Sequence, residues 1–340
     1  MTIEAWTLAI AAVPAVACAL SGTFLVLKHE AMAAEGLAHA VLPGIVIAFV
    51  FVGDRTSPLL IAGAAATGLV MTLLVQAVRR TGVVDSAASL GVVFPALFSV
   101  GILLASAELS NTHFHADCII DGNLALAPLS RLEVAGVDLG PRAFWSNAVA
   151  LILVAAFVIA FFKEMTLTTF DERLAARLGF RPALLHVAWL ALVSITIVAA
   201  FEAAGSVLVV ALMIAPPAAA ILWSRDLVRI LVLASALGLA SAGLGFAVAF
   251  AFDVAPNGPM ATVAGLLFLL SLLVAPGGLL ARERTIRSAR REMEEALVVA
   301  RAGPGGSRDA DVVAEELGWP RSRVDAALAR AAGHGRIPDA

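Results

Sequence analysis

The sequence has few charged residues, and this scarcity decides its broad class. Only 14% of its 340 residues are charged, whereas 61% are hydrophobic, and the mean hydropathy is +0.95. A soluble globular protein has about half apolar and about a quarter charged residues, and a water-soluble fold of this length has too little interior to bury such an excess. The hydrocarbon of a lipid bilayer accepts it readily. The composition therefore predicts an integral membrane protein.

Other absences exclude several kinds of site. The two cysteines, Cys18 and Cys118, are far apart and form no CxxC pair, which argues against a disulfide framework or a zinc knuckle. The sequence has no GxxxxGK(S/T) phosphate loop, so we do not expect this chain to hydrolyse ATP by that route. The N-terminus has only Glu4 before a long apolar run and lacks the basic segment of a signal peptide. We expect that run to remain as the first membrane span.

Long apolar segments recur along the chain at lengths that fit a bilayer. A helical span needs roughly 20 apolar residues to cross about 30 Å of hydrocarbon. Nine segments meet this requirement, with a range of eight to ten because Gly- and Pro-rich stretches can hide a broken helix: 6–27, 36–53, 57–78, 89–107, 143–163, 183–201, 205–223, 229–251 and 261–281. We therefore predict an all-α fold, a polytopic transmembrane helical bundle.

The distribution of basic residues predicts the orientation, because short cytoplasmic loops are enriched in lysine and arginine. With nine spans, the sparsely basic side carries only Arg55, Arg131 and Arg142. The opposite side carries the remaining loop cations and the arginine-rich tail. We therefore expect the N-terminus outside and the tail in the cytoplasm.

The sequence changes character at Arg282, where hydropathy falls and charge rises. We predict a transmembrane domain over 1–281 and a small cytoplasmic helical tail over 282–340. Residues 303–306, Gly-Pro-Gly-Gly, are typical of a hinge, and 308–336 resemble the helix-turn-helix core of a winged-helix domain with Gly318 at the turn. Its arginines do not outnumber its acidic residues, so we expect a regulatory or packing appendage and no nucleic-acid binding.

The most specific local pattern is Glu35-Gly-Leu-Ala-His39 in the second span. Residues four apart share one helix face, with Cβ atoms about 5–6 Å apart, and a carboxylate with an imidazole suits Mn, Fe or Zn. Ionisable groups inside a span are costly, which favours a functional role; the alternative is a helix cap at headgroup level. Because Pro43 has no amide hydrogen, we also expect the His39 carbonyl to lack its helical partner. Glu35 and His39 are our predicted transmembrane transit site for a metal ion.

A second polar group lies in the longest connection predicted outside, about 108–142. In an extended segment alternate side chains face the same way, so His113, His115 and Asp117 can converge on one ion at the outer mouth of a pathway. The alternative is a solvated polar loop that docks a partner.

The longest connection predicted inside, about 163–182, has the pattern of a capped amphipathic helix. Thr169 and Glu172 fit a capping box, and Gly179 is a natural helix stop. A short helix held between two spans is suited to take a push from a cytoplasmic motor, whereas the alternative is an ordinary surface helix. We predict that an ATPase contacts this segment, through Thr169, Phe170, Asp171, Glu172, Leu174, Leu178 and Gly179.

Four blocks of sequence resemble the metal-ion permeases of ATP-binding-cassette importers for zinc, manganese and iron. The blocks lie at 22–44, 89–94, 169–179 and 205–216, and the resemblance covers roughly 5–281. In that family the position of Glu35 is typically Asp, with the same histidine four residues on. The segment from His113 to Gly122 is similar to the branch linked to manganese, iron and zinc.

The resemblance implies a transport subunit of the plasma (cytoplasmic) membrane and not an enzyme. It implies a second permease chain (homo- or heterodimer), an ABC ATPase subunit on each cytoplasmic face, and an extracytoplasmic metal-binding protein that delivers the ion. No permanently bound cofactor is implied; the metal ion is the cargo. The resemblance implies no function for the tail after position 290.

Three other hypotheses stay open at this stage. The chain can be a gradient-driven metal carrier, a permease for a siderophore or other metal chelate, or a membrane-anchored regulator that works through its tail. A chelate needs a wider, aromatic-lined path, but only 6% of the residues are aromatic and tyrosine is absent. The capped loop helix favours an ATPase-driven importer over a gradient-driven carrier.

Overall fold

The computed structural model of the chain describes residues 3–53, 57–108, 122, 124–134, 137–302 and 310–333. In that part of the chain the elements are helices, apart from one β-hairpin and a short 3-10 turn at Ala127–Leu129. They are α1 (Ile3–Leu27), α2 (Ala31–Ala40), α3 (Leu42–Val52), α4 (Pro58–Arg80), α5 (Ser86–Glu108), β1 (Arg131–Val134), β2 (Val137–Pro141), α6 (Arg142–Ala160), α7 (Phe162–Phe170), α8 (Glu172–Arg177), α9 (Pro182–Trp223), α10 (Leu227–Phe252), α11 (Asn257–Val274), α12 (Leu279–Ala302), α13 (Ala310–Leu317) and α14 (Arg321–Gly333). Contacts divide the chain into two compact units, Met1–Leu272 and Leu273–Ala340.

Nine helical segments of the described residues are long and apolar enough to cross a membrane. The predicted all-α transmembrane bundle is therefore confirmed. The spans do not correspond one to one with the helices: α2 and α3 together form one span, Ala31–Val52, whereas α9 supplies two, Pro182–Phe201 and Ala203–Trp223. The division between α2 and α3 falls at Val41, just before Pro43, where proline prevents a continuous ladder of helical hydrogen bonds.

Helix α9 turns back on itself at Gly205. A straight helix of 42 residues is about 63 Å long, which is twice the hydrocarbon thickness. Gly205 has φ +71° and ψ 163°, which lies outside the helical region. The ring of Trp189 packs against Phe24 on α1 at 5.1 Å between centroids, and the backbone of Met213 lies against Gly22 on the same helix. The two halves of α9 therefore pass the same level of α1 and run antiparallel.

The ends of the helices fall into two sets, as alternating spans require. Lys28, Arg79, Thr168 and His186 line one cavity together, although they come from the ends of four different helices. A second set includes Trp6, which lies against Gly140 of β2. It also includes Gly122, whose carbonyl accepts the Asn257 side-chain amide at 3.0 Å. These two sets mark opposite ends of the bundle.

The β-hairpin is closed by polar contacts around Asp138. Strands β1 and β2 are antiparallel, with an irregular register between Arg131 and Glu133. The Asp138 carboxylate accepts the Gly140 amide at 2.9 Å and pairs with Arg131. The backbone hydrogen bond and the arginine hold the pKa of this carboxyl below its usual range.

Close helix packing in the first unit depends on glycine. A Cβ atom at Gly22 would stand 1.8 Å from the carbonyl oxygen of Met213, and one at Gly44 would stand 2.1 Å from the Gly63 carbonyl oxygen. Small residues let helix backbones approach in this way, which is how membrane helices gain van der Waals contact without a strong hydrophobic driving force. Gly22 joins α1 to α9, and Gly44 joins α3 to α4.

The second unit contains a three-helix arrangement of α12, α13 and α14 around a small apolar core. The core residues are Val298, Val313, Ala314, Val324 and Ala327. Helices α13 and α14 meet at Gly318, which has φ +63°.

Arginines of α14 are engaged inside this unit. Arg323 pairs with Glu294 at 2.9 Å, and Arg330 pairs with Glu295 at 3.2 Å. Both glutamates are buried. These two cations therefore neutralise carboxylates of α12.

We expect Gly22→Ala to destabilise the membrane unit by about 1–3 kcal/mol, because the added methyl overpacks a fully occupied contact. The measurement is the thermal unfolding midpoint of the detergent-purified protein. Gly243→Ala on α10 is the matched control, since a Cβ there meets nothing within 4 Å. Equal midpoints for the two variants would contradict the packing described.

Candidate metal site and coupling helix

Helix α2 presents Glu35 on an exposed face and packs its opposite face into the subunit. Glu35 is exposed, whereas Ala33, Ala34 and Leu37 are almost wholly buried. The neighbouring Gly36 lies against α4, since a Cβ there would stand 2.8 Å from the methyl carbon of Met71. The carboxylate therefore lies on a helix whose opposite face is packed against the rest of the subunit.

His39 lies one turn further along α2 and is half-buried. Its ring stands edge-on to Phe98 of α5 at 5.5 Å between centroids, and Phe94 is 6.3 Å away. Its Nδ1 atom is buried and has no hydrogen-bond partner among the described residues. An unpartnered buried nitrogen is rare and points to an absent water or ion. Glu35 and His39 thus lie one turn apart on α2 as expected, and metal binding by the pair stays a prediction.

The carbonyl of His39 is not free, contrary to our expectation from Pro43. It accepts the amide of Val41, which caps the end of α2. The prediction assumed a continuous helix in which Pro43 would remove the only partner of that carbonyl. The helix instead ends before the proline, so the cap satisfies the carbonyl locally.

The predicted outer-mouth residues His113, His115 and Asp117 lie outside the described residues, so they stay a prediction. Within the described part of the chain, no group of three or more His, Cys, Asp or Glu residues could hold a metal ion. The pair on α2 thus has no third protein ligand of these types in the part of this subunit that the structure describes.

The predicted coupling segment forms a short helix, but its cap differs from our prediction. Thr169 lies inside α7 and cannot be the N-cap of α8. Asp171 has that role instead, because its carboxylate accepts the Leu174 amide at 2.9 Å. Glu172 is the first residue of α8, and Gly179, at φ +90°, follows its end as predicted.

One side of this segment is apolar and faces outward. Phe170 is 62% exposed, Leu174 is 43% exposed and Leu178 is 61% exposed, whereas Ala175 is fully buried. Exposed apolar residues that cluster at the end of a membrane bundle suit contact with another protein. The segment can therefore dock a partner while Ala175 anchors it to the subunit.

A group of ionisable residues meets at the start of α2, and the sequence marked only Glu172 among them as a candidate site residue. Here "inner cluster" means Lys28, Glu30, Arg79, Glu172 and His186. The Glu30 carboxylate lies 3.6 Å from Arg79 and 3.4 Å from His186. Burial raises the pKa of Glu30, an effect that Lys28 and Arg79 oppose, and burial lowers the pKa of Lys28. In a sequence, charged residues beside the ends of spans are typical of anchors at the lipid headgroups. Only the contacts among these residues in the structure distinguish them from such anchors.

Comparison with known proteins decides the family. The profile of the ABC 3 transport family matches residues 2–275, which is most of the chain and includes α1 to α11. This chain belongs to the ABC 3 transport family. The resemblance inferred from the four sequence blocks is therefore confirmed. The match ends before α12, so it carries no information about the second unit.

Relatives in the ABC 3 transport family include membrane subunits of metal transport systems. The chain is 39% identical to the manganese transport system membrane protein MntD of Bacillus subtilis, over 81% of this chain and 93% of MntD. It is 38% identical to the zinc transport system membrane protein TroD of Treponema pallidum, over 81% of this chain and 74% of TroD.

The fold is also similar to a solved structure. PsaBC from Streptococcus pneumoniae, in complex with Fab, aligns with a TM-score of 0.66 and 24% sequence identity. The alignment covers 80% of this chain and 91% of the matched chain. At this level of sequence identity, the similarity is evidence only for the fold of this ABC 3 transport family member.

We expect Asp171→Ala to loosen α8, because loss of an N-cap side chain costs about 0.5–2 kcal/mol. Hydrogen exchange of the amides in 172–178 should become faster in this variant. Asp171→Asn keeps an accepting oxygen and should exchange like the unmodified protein. Thr169→Val should leave the exchange rates of α8 unchanged. Faster exchange in that variant would instead support the capping box of Thr169 and Glu172 that the sequence predicted.

Proposed function

We propose that this chain is the transmembrane permease subunit of an ATP-driven importer of manganese or zinc ions. The observation that carries the proposal is the pair on α2: an exposed Glu35 one helical turn from His39, whose buried Nδ1 has no partner among the described residues. Both residues lie within a membrane-spanning segment. Membership of the ABC 3 transport family and the names of MntD and TroD support a bare metal ion as cargo, and we restrict the proposal to the two metals that those names give.

The exposure of Glu35 supports a second permease chain. A charged side chain within a span almost always faces a protein interior or a water-filled cavity, because lipid cannot solvate it. Glu35 is exposed on the isolated subunit, so another protein surface must shield this face of α2 from lipid. We propose that a second permease chain, identical or a sister, lies against this face and that the metal pathway runs between the two.

A dimer also supplies the ligands that one subunit lacks. Zinc takes four ligands as a rule and six are common for manganese, whereas α2 offers two side chains. In the proposed dimer, a pair from each chain and water complete the ion's coordination. His113, His115 and Asp117 remain our proposed outer receiving site for an ion delivered by an extracytoplasmic binding protein.

ATP hydrolysis is assigned to a separate ATPase chain. The apolar surface formed by Phe170, Leu174 and Leu178 is the proposed contact, and α8 carries the displacement of the ATPase into the membrane unit. The basic residues of the loops at this end of the bundle support a cytoplasmic location for it, by the rule that positive charge stays inside. The N-terminus and the β-hairpin then lie outside the plasma membrane.

We expect His39→Ala to abolish manganese and zinc uptake while the protein remains inserted and assembled. Loss of a group that merely orients a metal ligand already costs about 10–100-fold, so loss of a ligand should cost at least as much. The measurement is ion uptake into proteoliposomes that contain the whole transporter.

Variants of Glu35 provide the matched comparison. Glu35→Gln should lose uptake because it removes the charge, and Glu35→Asp should retain it because the carboxylate survives. Normal uptake by His39→Ala, or equal loss in both Glu35 variants, would contradict the assigned site.

We expect Leu174→Asp to release the ATPase, because a carboxylate in a dry contact is costly and truncation of a central contact residue costs about 2 kcal/mol or more. Recovery of the ATPase with the tagged permease measures the effect. Val83→Asp is the control, since Val83 is 84% exposed in the connection between α4 and α5. Unchanged recovery for Leu174→Asp would show that α8 is not the contact.

A further inference from the structure

The turn between α1 and α2 fixes the backbone of Glu30 on both sides. Its amide donates to the Leu25 carbonyl at 2.8 Å, and the His29 amide donates to the Val26 carbonyl at 3.1 Å; together these close α1 in a Schellman motif. His29 has φ +59°, a conformation that glycine usually supplies at this position. The Glu30 carbonyl then accepts the Ala33 amide at 2.8 Å. A single ordered turn therefore joins the end of α1 to the start of α2.

The carboxylate of Glu30 ties this turn to two other helices. Its Oε1 lies 3.6 Å from Nη1 of Arg79, in the last turn of α4. Its Oε2 lies 3.4 Å from Nε2 of His186, in the first turns of α9. Both distances exceed a good hydrogen bond. The contact with Arg79 is an ion pair, whereas the contact with His186 is an ion pair only when the imidazole is protonated. The Glu30 side chain is only 14% exposed, which limits screening by water.

Glu30 and the metal pair lie on different faces of α2. At 100° per residue, Glu35 is about 140° and His39 about 180° around the helix from Glu30. The face near Glu30 includes Ala33 and Leu37, which are buried. Contacts of Glu30 can thus set the position of α2 without touching an ion at Glu35 and His39.

The coupling helix lies within reach of the same turn. Glu172, the first residue of α8, lines one cavity with Lys28, Glu30 and Arg79. Its charge acts on both Lys28 and Glu30. The inner cluster therefore brings the start of α8, the start of α2 and the ends of α4 and α9 together.

We propose that Glu30 is a positioning residue that makes the start of α2 move with α4 and α9 when a partner ATPase displaces α8. The ion pair with Arg79 and the contact with His186 carry this movement from the coupling helix to the helix that bears Glu35 and His39. The inference rests on the proposed function and adds to it the route by which ATP hydrolysis reaches the metal site.

The test uses the full transporter in proteoliposomes, with manganese ion and the metal-loaded binding protein as probes. In Glu30→Gln, the stimulation of ATPase activity by the loaded binding protein should fall by about tenfold, the size of a typical coupling between sites. Manganese bound per complex and basal ATPase activity should stay at the unmodified level, because the metal pair and the ATPase contact are untouched. Arg79→Met should act in the same direction.

A double variant separates coupling from stability. Glu30→Gln with Arg79→Met removes both charges of this ion pair, so neither is left without the other and the unfolding midpoint should recover, while stimulation stays low. Arg80→Met is the control, since Arg80 is exposed and forms no ion pair with the described residues; it should retain full stimulation.

Recovery of stimulation in the double variant, in step with its unfolding midpoint, would reduce Glu30 to a structural role and overturn the inference. Normal stimulation in Glu30→Gln would overturn it too. Failure of the proposed function is recognisable separately, because the unmodified complex would then bind no manganese through His39 and show no stimulation to lose.

Discussion

A carboxylate on a membrane-spanning helix needs water, a cation or a polar partner, because hydrocarbon solvates none of its charge. Glu35 meets no such partner among the described residues of its own subunit, and its helix is packed only from behind. Helix α2 is short and ends at Ala40, and it leans on α4 through Gly36. The fold thus packs one face of α2 against the subunit and leaves the face that carries Glu35 exposed.

Small residues make that arrangement possible. Backbones of α1 and α9 meet at Gly22, and those of α3 and α4 meet at Gly44. Such contacts join the helices by dispersion forces over short distances, so the bundle needs few buried polar groups for its cohesion. The partly buried carboxylate of Glu30 lies apart from these contacts, where four helix ends converge.

Hydropathy predicted the spans well because bilayer thickness sets a minimum length that composition reveals directly. The placement of Glu35 and His39 on one helix was likewise predictable, since an i, i+4 spacing is local; their role as a metal site stays a prediction. The cap of α8 was not predicted correctly: Thr169 and Glu172 fit the capping pattern, but α7 continues through Phe170 and leaves Asp171 to cap the next helix. The contact of Glu30 with His186 could not be predicted at all, because the two residues are far apart in sequence and meet only through tertiary packing.

The incompleteness of the pair on α2 has a consequence for release. An importer must hold its ion firmly enough to select it and loosely enough to lose it on the other side. If each chain contributes two ligands, the full site exists only while the two α2 helices face one another closely. Any separation of those helices weakens coordination and admits water in the same movement. Attachment of the start of α2 to α4 and α9 then sets when the ion is released. The site would come apart when the helices that carry Arg79 and His186 move, and not through independent fluctuation of one short helix.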